Sequence, residues 1–513
     1  QKRHRLYSGK TMRNINNPLI EAWEASGIQA LPMGLQGLLI QDLVYSARKA
    51  GREDLLMNAA GQISGMLTRV RPAADILHDM VAQAAAIIAG GPRHRRPRRL
   101  TPMTEQALAG VRVVEFTDEV GSYCGRLLAD LGAEVIKVEP PGGGRQRNSA
   151  PFLAGHEGNP DASLAFWVHN TSKKSVVLDL ESDHGRAAAR RLALSADILI
   201  EDNPVGYLAA RGLGYADLHA AKPSLVYTSV TGFGQTGPHA GWAYSDIVGQ
   251  AMGGIMTLAG DPADPPNMIY GHQADVSASI QAAQGTLIAL LHAEATGQGQ
   301  LVDVSAQEAI SMSQETAMQT WDFQKKNRAR MGAAGGLPIT IPGSGTLKVK
   351  DGYIVLYIIA PAGGDLPDLV DWMREEGKAG DLDDEPYRTL ISNLNMGWLT
   401  QLMGAPEEAA KYIPLLPHVN ELIGAFFAEK TAREAYEEGQ GRRLLIGIVS
   451  TPADLAQNRQ LREREWYINF PEPPVGNPVE FPGPPYRLSE TPAVISRPPR
   501  LGEHTAAVLG ALA

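Results

Sequence analysis

Cysteine is almost missing: Cys124 is the one cysteine in 513 residues. It can form neither an intramolecular disulfide nor a cysteine zinc cluster, so a reducing compartment, the cytoplasm, is expected. No run of 18 or more apolar residues occurs, so no membrane-spanning helix is expected. Positive charge is in deficit, with 47 Lys and Arg against 56 Asp and Glu and a net charge of −9. Global attraction to nucleic acid or an anionic membrane is therefore not expected. An initiating Met is lacking too. The start, QKRHRLYSGK, is basic without the apolar stretch of a signal peptide, and the chain reads as a piece of a longer product. What remains is ordinary globular composition, 44% hydrophobic and 20% charged. It is long enough for roughly two to four domains.

Residues 1–91 read as helical, because LIEAWEASGI, GLQGLLIQDLVYSARKAG and ADILHDMVAQAAAIIAG carry apolar residues at helical spacing. Residues 92–103 begin PRHRRPRRL and read as a basic interdomain linker. From about residue 108, short apolar strands alternate with helices: VRVVEF (111–116), EVIKVE (134–139), SVVLDL (175–180), DILIED (197–202) and LVYTSV (225–230). This alternation indicates an α/β fold, a Rossmann-like domain with a mostly parallel sheet over 104–310. No G-x-G-x-x-G fingerprint is read after a strand, so no dinucleotide site is expected. A long helix is expected over about 276–296, then a strand-helix step in LVDVSAQEAI. Residues 311–460 read as a linker and a smaller α+β domain, with KVKDGYIVLYII (348–359) as a strand pair or long strand and helices over 366–379 and 419–438. The proline-rich stretch within 461–513 reads as an extended arm returning to the large domain.

Six phrases stand in order: LAGVRVVEF, YCGRLLADLGAEVIKVEPPGGG, NTSKKSVVLDL, SVTGFGQTGP, Asp275 before a helix ending in TGQGQLVDVS, and RPPRLGEHTAAVL. Together, over about residues 104–513, they resemble the class III CoA-transferases, a family that also contains 2-methylacyl-CoA racemases. The resemblance implies a large Rossmann-like domain, a small domain and an interlocked homodimer. It implies CoA transfer between an acyl-CoA thioester and a small carboxylic acid, with coenzyme A as substrate and no permanently bound cofactor or metal. By that resemblance Asp275 is the nucleophile and carries an aspartyl-CoA thioester. A carboxylate suits the task, being ionised near neutral pH without a base. The bland alternative is that Asp275 caps the following helix.

The resemblance also places CoA against Gly121, Ser122 and Tyr123 after the first strand. Lys173 and Lys174 either meet its phosphates or form a solvated turn; Arg145 is a further candidate, and Asp246 either lines the site or caps a helix. Cys124 reads either as an activated thiol or as a small buried residue. Gly335-Gly336 and Gly343-Ser344-Gly345 are candidates for a closing loop. Two departures from the family's text stand out, Pro140-Pro141 and Asp202-Asn203-Pro204-Val205-Gly206. The racemase branch uses a histidine where this chain has Ser245, and a hydroxyl cannot replace imidazole as a base. Transferase is therefore the expectation, with racemase and a non-catalytic CoA-binding subunit as alternatives. Residues 1–90, with SGKTMRNINNPLIEAW, resemble the C-terminal end of a nitronate monooxygenase or FMN enoyl-reductase barrel, which implies a flavin-enzyme domain upstream. This segment alone is not expected to bind flavin.

Overall fold

The computed structural model describes residues 2–4, 12–14, 18–26, 106–332, 341–358 and 364–512. The chain divides into two compact units, one of residues 94–332 with 450–513, the other of 1–93 with 333–449.

The first unit is built on six strands: β1 (Arg112–Phe116), β2 (Glu134–Glu139), β3 (Lys174–Val177), β4 (Ile198–Glu201), β5 (Val226–Thr231) and β6 (Leu301–Ser305). They lie in the order β3-β2-β1-β4-β5-β6, every neighbouring pair parallel. That is the doubly wound order, which reverses direction between β1 and β4. The inner strands are β-branched and buried along nearly their whole length, as a sheet covered on both faces requires. Successive residues of β1 feed opposite cores: Val113 packs with Cys124, Leu128 and Ile200, Val114 with Ile136, Leu192 and Leu199. Helix α1 (Ser122–Asp130) and the long α2 (Gln273–Thr296) join the first of these cores. α2 buries Ala274, Ala278, Ala282, Ala283, Ala289 and Ala293, small side chains that bring its backbone close to the sheet. It starts three residues earlier than the apolar pattern predicts, which places Asp275 inside its first turn.

The C-terminal arm is only partly extended. β7 (Tyr467–Phe470) pairs antiparallel with β8 (Val479–Pro482), and Phe470 and Phe481 pack on Phe166 and Trp167. Residues 496–505 then run along β3, the edge strand. The Ser175 and Val177 N–H groups donate to His504 Nδ1 (3.3 Å) and Thr505 Oγ1 (3.0 Å). Arg147, buried and bidentate on Glu139, also donates to Pro499 O (3.2 Å). Leu501 N donates to Asp161 (2.8 Å) and Gly502 N to Ser175 Oγ (2.8 Å).

In the second unit the predicted strand over 348–359 is a hairpin, Ser344–Val349 with Gly352–Tyr357, extended to three strands by Ile446–Ile448. Helices Leu366–Glu375, Leu416–Ala428 and Ala432–Gly441 pack around Trp372, Phe426 and Phe427. The single helix expected over 419–438 is two, because Thr431 opens a new helix with a capping box to Glu434. Gly343 and Gly345 flank the start of this hairpin; Gly335 and Gly336 lie outside the described residues. Of the predicted N-terminal helical segment, the described residues hold a helix, Pro18–Ser26, and two paired strands, Lys2–His4 with Met12–Asn14. The remainder, the basic linker included, lies outside the described residues.

Candidate active site

The site grows from the start of α2. The chain enters it through left-handed backbone at Gly271 (φ 99°) and His272 (φ 55°). The N–H groups of Ala274 and Asp275 need acceptors from outside the helix. Asp246, in the first turn of helix α3 (Asp246–Met252), supplies both through Oδ1, at 2.8 and 3.2 Å. Gln250, one turn on, holds the other oxygen of Asp246 at 2.7 Å and is itself clamped by the backbone of Ile269. Asp246 is thus the cap of α2, which releases Asp275 from that task.

Asp275 is 7% exposed. Its Oδ1 accepts from the Tyr244 hydroxyl (2.8 Å), and its Oδ2 faces His272 Nδ1 (3.3 Å). Burial is the main cause that pushes its carboxyl up to about 6; the charge of Asp246 adds to it, and the bonds from Tyr244 and His272 oppose it. The group is therefore ionised at neutral pH but thinly solvated, the state in which a carboxylate is a useful nucleophile. Burial and the Asp275 charge push the Tyr244 phenol up, so it stays a donor. Tyr244 is seated by the stretch GFGQTG (232–237). A Cβ at Gly232 would fall 2.3 Å from the Tyr244 ring, and Phe233 meets that ring edge-on at 5.9 Å. This stretch does spell G-x-G-x-x-G directly after a strand, which corrects the expectation that no strand is followed by one. It opens no helix, since the next one starts at Asp246; Gly232 makes room for the Tyr244 ring, and Gly234 and Gly237 take positive φ (83° and 92°).

The reversal point between β1 and β4 is occupied from within. The Asp202 carboxylate accepts from the N–H groups of Asp118 (2.8 and 3.0 Å), Glu119 (2.9 Å) and Gly121 (3.0 Å). These are the donors that such a turn would otherwise offer an anion. Burial holds Asp202 up at about 6, against the bonds from Gly121 and Asp118 and the charge of Lys137. Beside it, a cavity of about 210 Å³ opens at the strand ends, lined by Asp118, Lys137, Glu139, Asp179 and Asp202 among others. The same turn is tied to α2, where Ser279 Oγ donates to Val120 O at 2.5 Å, one helical turn beyond Asp275.

The residues singled out from sequence fall into distinct places. Gly121 lends its N–H to Asp202. Ser122 is fully buried, its hydroxyl between Thr117 and Lys137. Tyr123 is half-buried beside the His169 ring. Lys173 is buried and spends its three protons on Glu115 (2.7 Å), Ser122 O (2.7 Å) and Asn170 (2.9 Å), so it has none left for a phosphate. Burial lowers its ammonium to about 8. Lys174 pairs with Glu134 at 2.6 Å. Arg145 is exposed and lies 3.7 Å from Glu119. Asp246 lies in the Asp275 cluster. Cys124 is buried, and burial with the Glu115 charge pushes its thiol up to about 12, which excludes an activated thiol. Ser245 is exposed.

Tyr244 and His272 escaped the sequence reading, and Asp202 entered it as a departure in text with no role attached. The first two have no spacing signal, and Asp202 reaches its partners across more than 80 residues. Asp246, His272 and Asp275 each offer one ligand atom, all within 4.8 Å of one another, so a cation bound there would occupy the Asp275 carboxylate.

Over 408 residues the chain is 35% identical to a protein of Thauera aromatica named succinyl-CoA:(R)-benzylsuccinate CoA-transferase subunit BbsE, covering 79% of this chain and 94% of that one. It is 28% identical to succinate–glutarate CoA-transferase of Agrobacterium fabrum, covering 80% and 97%. A crystal structure of a CAIB/BAIF family protein from Brucella suis superposes with a TM-score of 0.68 at 29% identity, over 80% of this chain and all of that one. The family model for CoA-transferase family III matches residues 108–505, and the chain belongs to that family.

Proposed function

We propose that this CoA-transferase moves CoA from an acyl-CoA thioester to a free carboxylic acid through an aspartyl-CoA thioester on Asp275. The observation that carries the reading is the setting of that carboxylate: buried, held by Tyr244 and relieved of capping duty by Asp246. An Asp275 oxygen attacks the thioester carbonyl, the C–S bond breaks, and CoA leaves as a thiolate with a mixed anhydride left behind. The thiolate attacks Cγ of Asp275 and expels the first acid as a carboxylate. The incoming carboxylate repeats the steps in reverse, so atoms and charge balance without a base or a resident cofactor. Tyr244 steadies the ionised oxygen that attacks. Several relatives are named for succinyl-CoA, which makes succinyl-CoA the first donor to try. Association of two copies belongs to the same proposal.

The test is mass spectrometry of the peptide containing Asp275 after incubation with candidate acyl-CoAs. A CoA adduct that hydroxylamine discharges supports the reading; full turnover by Asp275→Ala rejects it. A second reading, epimerisation at the α-carbon, needs a base beside Asp275. Ser245 cannot serve, but His272 brings an imidazole within 3.3 Å. Solvent deuterium entering the α-carbon would favour that alternative.

A further inference from the structure

The His272 side chain is 71% exposed, whereas that of its partner Asp275 is 10% exposed. Left-handed backbone at Gly271 and His272 delivers the imidazole to Asp275 Oδ2, the oxygen that Tyr244 leaves open. Asp246 adds a second carboxylate to the cluster, held by three donors. An acid anion approaching this resting site meets two like charges in a poorly solvated place, where repulsion is strong. Thioester formation on Asp275 removes one of them and leaves His272 without its partner. The neighbouring basic groups are committed. Burial, with Lys173 and Arg126 nearby, pushes His169 down to about 3, so it stays neutral. Lys137 and Lys173 are both buried against Glu115.

Resting on the aspartyl-thioester reading, we infer that His272 exchanges counter-ions during the reaction. Its imidazolium pairs with Asp275 in the resting enzyme and with the carboxylate of the incoming acid once Asp275 is esterified. The acid oxygen then attacks Cγ of Asp275, the Cγ–S bond breaks, CoA departs as a thiolate, and no proton moves. In the first half of the cycle the same contact holds the departing acid. His272 is on this account a catalytic residue that selects an anionic acceptor.

The test separates charge from architecture. Enzyme loaded with the adduct and freed of acid is discharged either by the carboxylic acid or by hydroxylamine, a neutral nucleophile. With His272→Gln the acid should discharge the adduct roughly tenfold more slowly, with hydroxylamine discharge unchanged within about twofold. His272→Lys, which keeps a cation, should recover part of the loss. Equal slowing with both nucleophiles, or acid discharge as fast as in the parent enzyme, overturns the counter-ion role. His272→Gln should also form the adduct more slowly than the parent enzyme, because the same contact holds the departing acid; formation at the parent rate overturns the role. Absence of the adduct in the parent enzyme rejects the thioester reading itself.

Discussion

At the scale of single residues, the behaviour of Asp275 follows from what surrounds it. Its carboxyl titrates near 6 in the folded chain, above the ordinary aspartate value, so protonation disarms it as pH falls. We expect kcat to be lost on the acid side with a midpoint near pH 6, read from a pH–rate profile. Tyr244→Phe removes a donor that favours the charged form. The same midpoint should rise by about one unit, with a loss of about fivefold in kcat at pH 6. Asp275→Asn should lower turnover at least ~10³-fold with the thermal midpoint little changed. Asp275 was legible because a family phrase surrounds it. Tyr244 was not, since it lies 31 residues away and meets Asp275 only through the packing of Gly232 and Phe233. His272 is close in sequence, but its contact depends on a positive φ that the residue type does not announce.

At the scale of elements, strands were read well and their connections less so. EVIKVE was predicted and observed over the same residues, because its β-branched Val135, Ile136 and Val138 stand between Gly132 and Pro140-Pro141, which mark both ends. Helices at Tyr387–Asn393, Met396–Met403 and Pro406–Tyr412 were not foreseen, being short and lacking a long apolar period. The departure at Asp202 was legible as text but not as function. Its role, four contacts to three backbone N–H groups, needs β1 and β4 side by side. Asp202→Ala leaves those donors without their acceptor and should cost ~2–4 kcal/mol in a urea unfolding curve. Gly232→Ala pushes a methyl group into the Tyr244 ring. Activity should fall with it, and chemical denaturation should show a loss of ~1–3 kcal/mol.

At the scale of the whole molecule, one unit is assembled from two stretches of sequence, 94–332 and 450–513, with the intervening chain belonging to the other. Ile288 and Leu291 on α2, and Met312, Trp321 and Phe323 beyond it, stand exposed on the first unit. Large apolar side chains on a surface are the usual mark of an interface. Light scattering on the 55.0 kDa chain is expected to return about twice that mass. A monomer at micromolar concentration would contradict the association proposed above.

The seam between residues 496–505 and β3 also sets a constraint on how the chain is made. A ribosome synthesising this polypeptide delivers all six strands long before it reaches Ser496. Throughout that interval the nascent sheet carries an open edge at β3, able to pair with another emerging chain. Polysomes crowded with this message would then be the place where misassembly starts, and a chaperone shielding that edge would raise the yield of active enzyme.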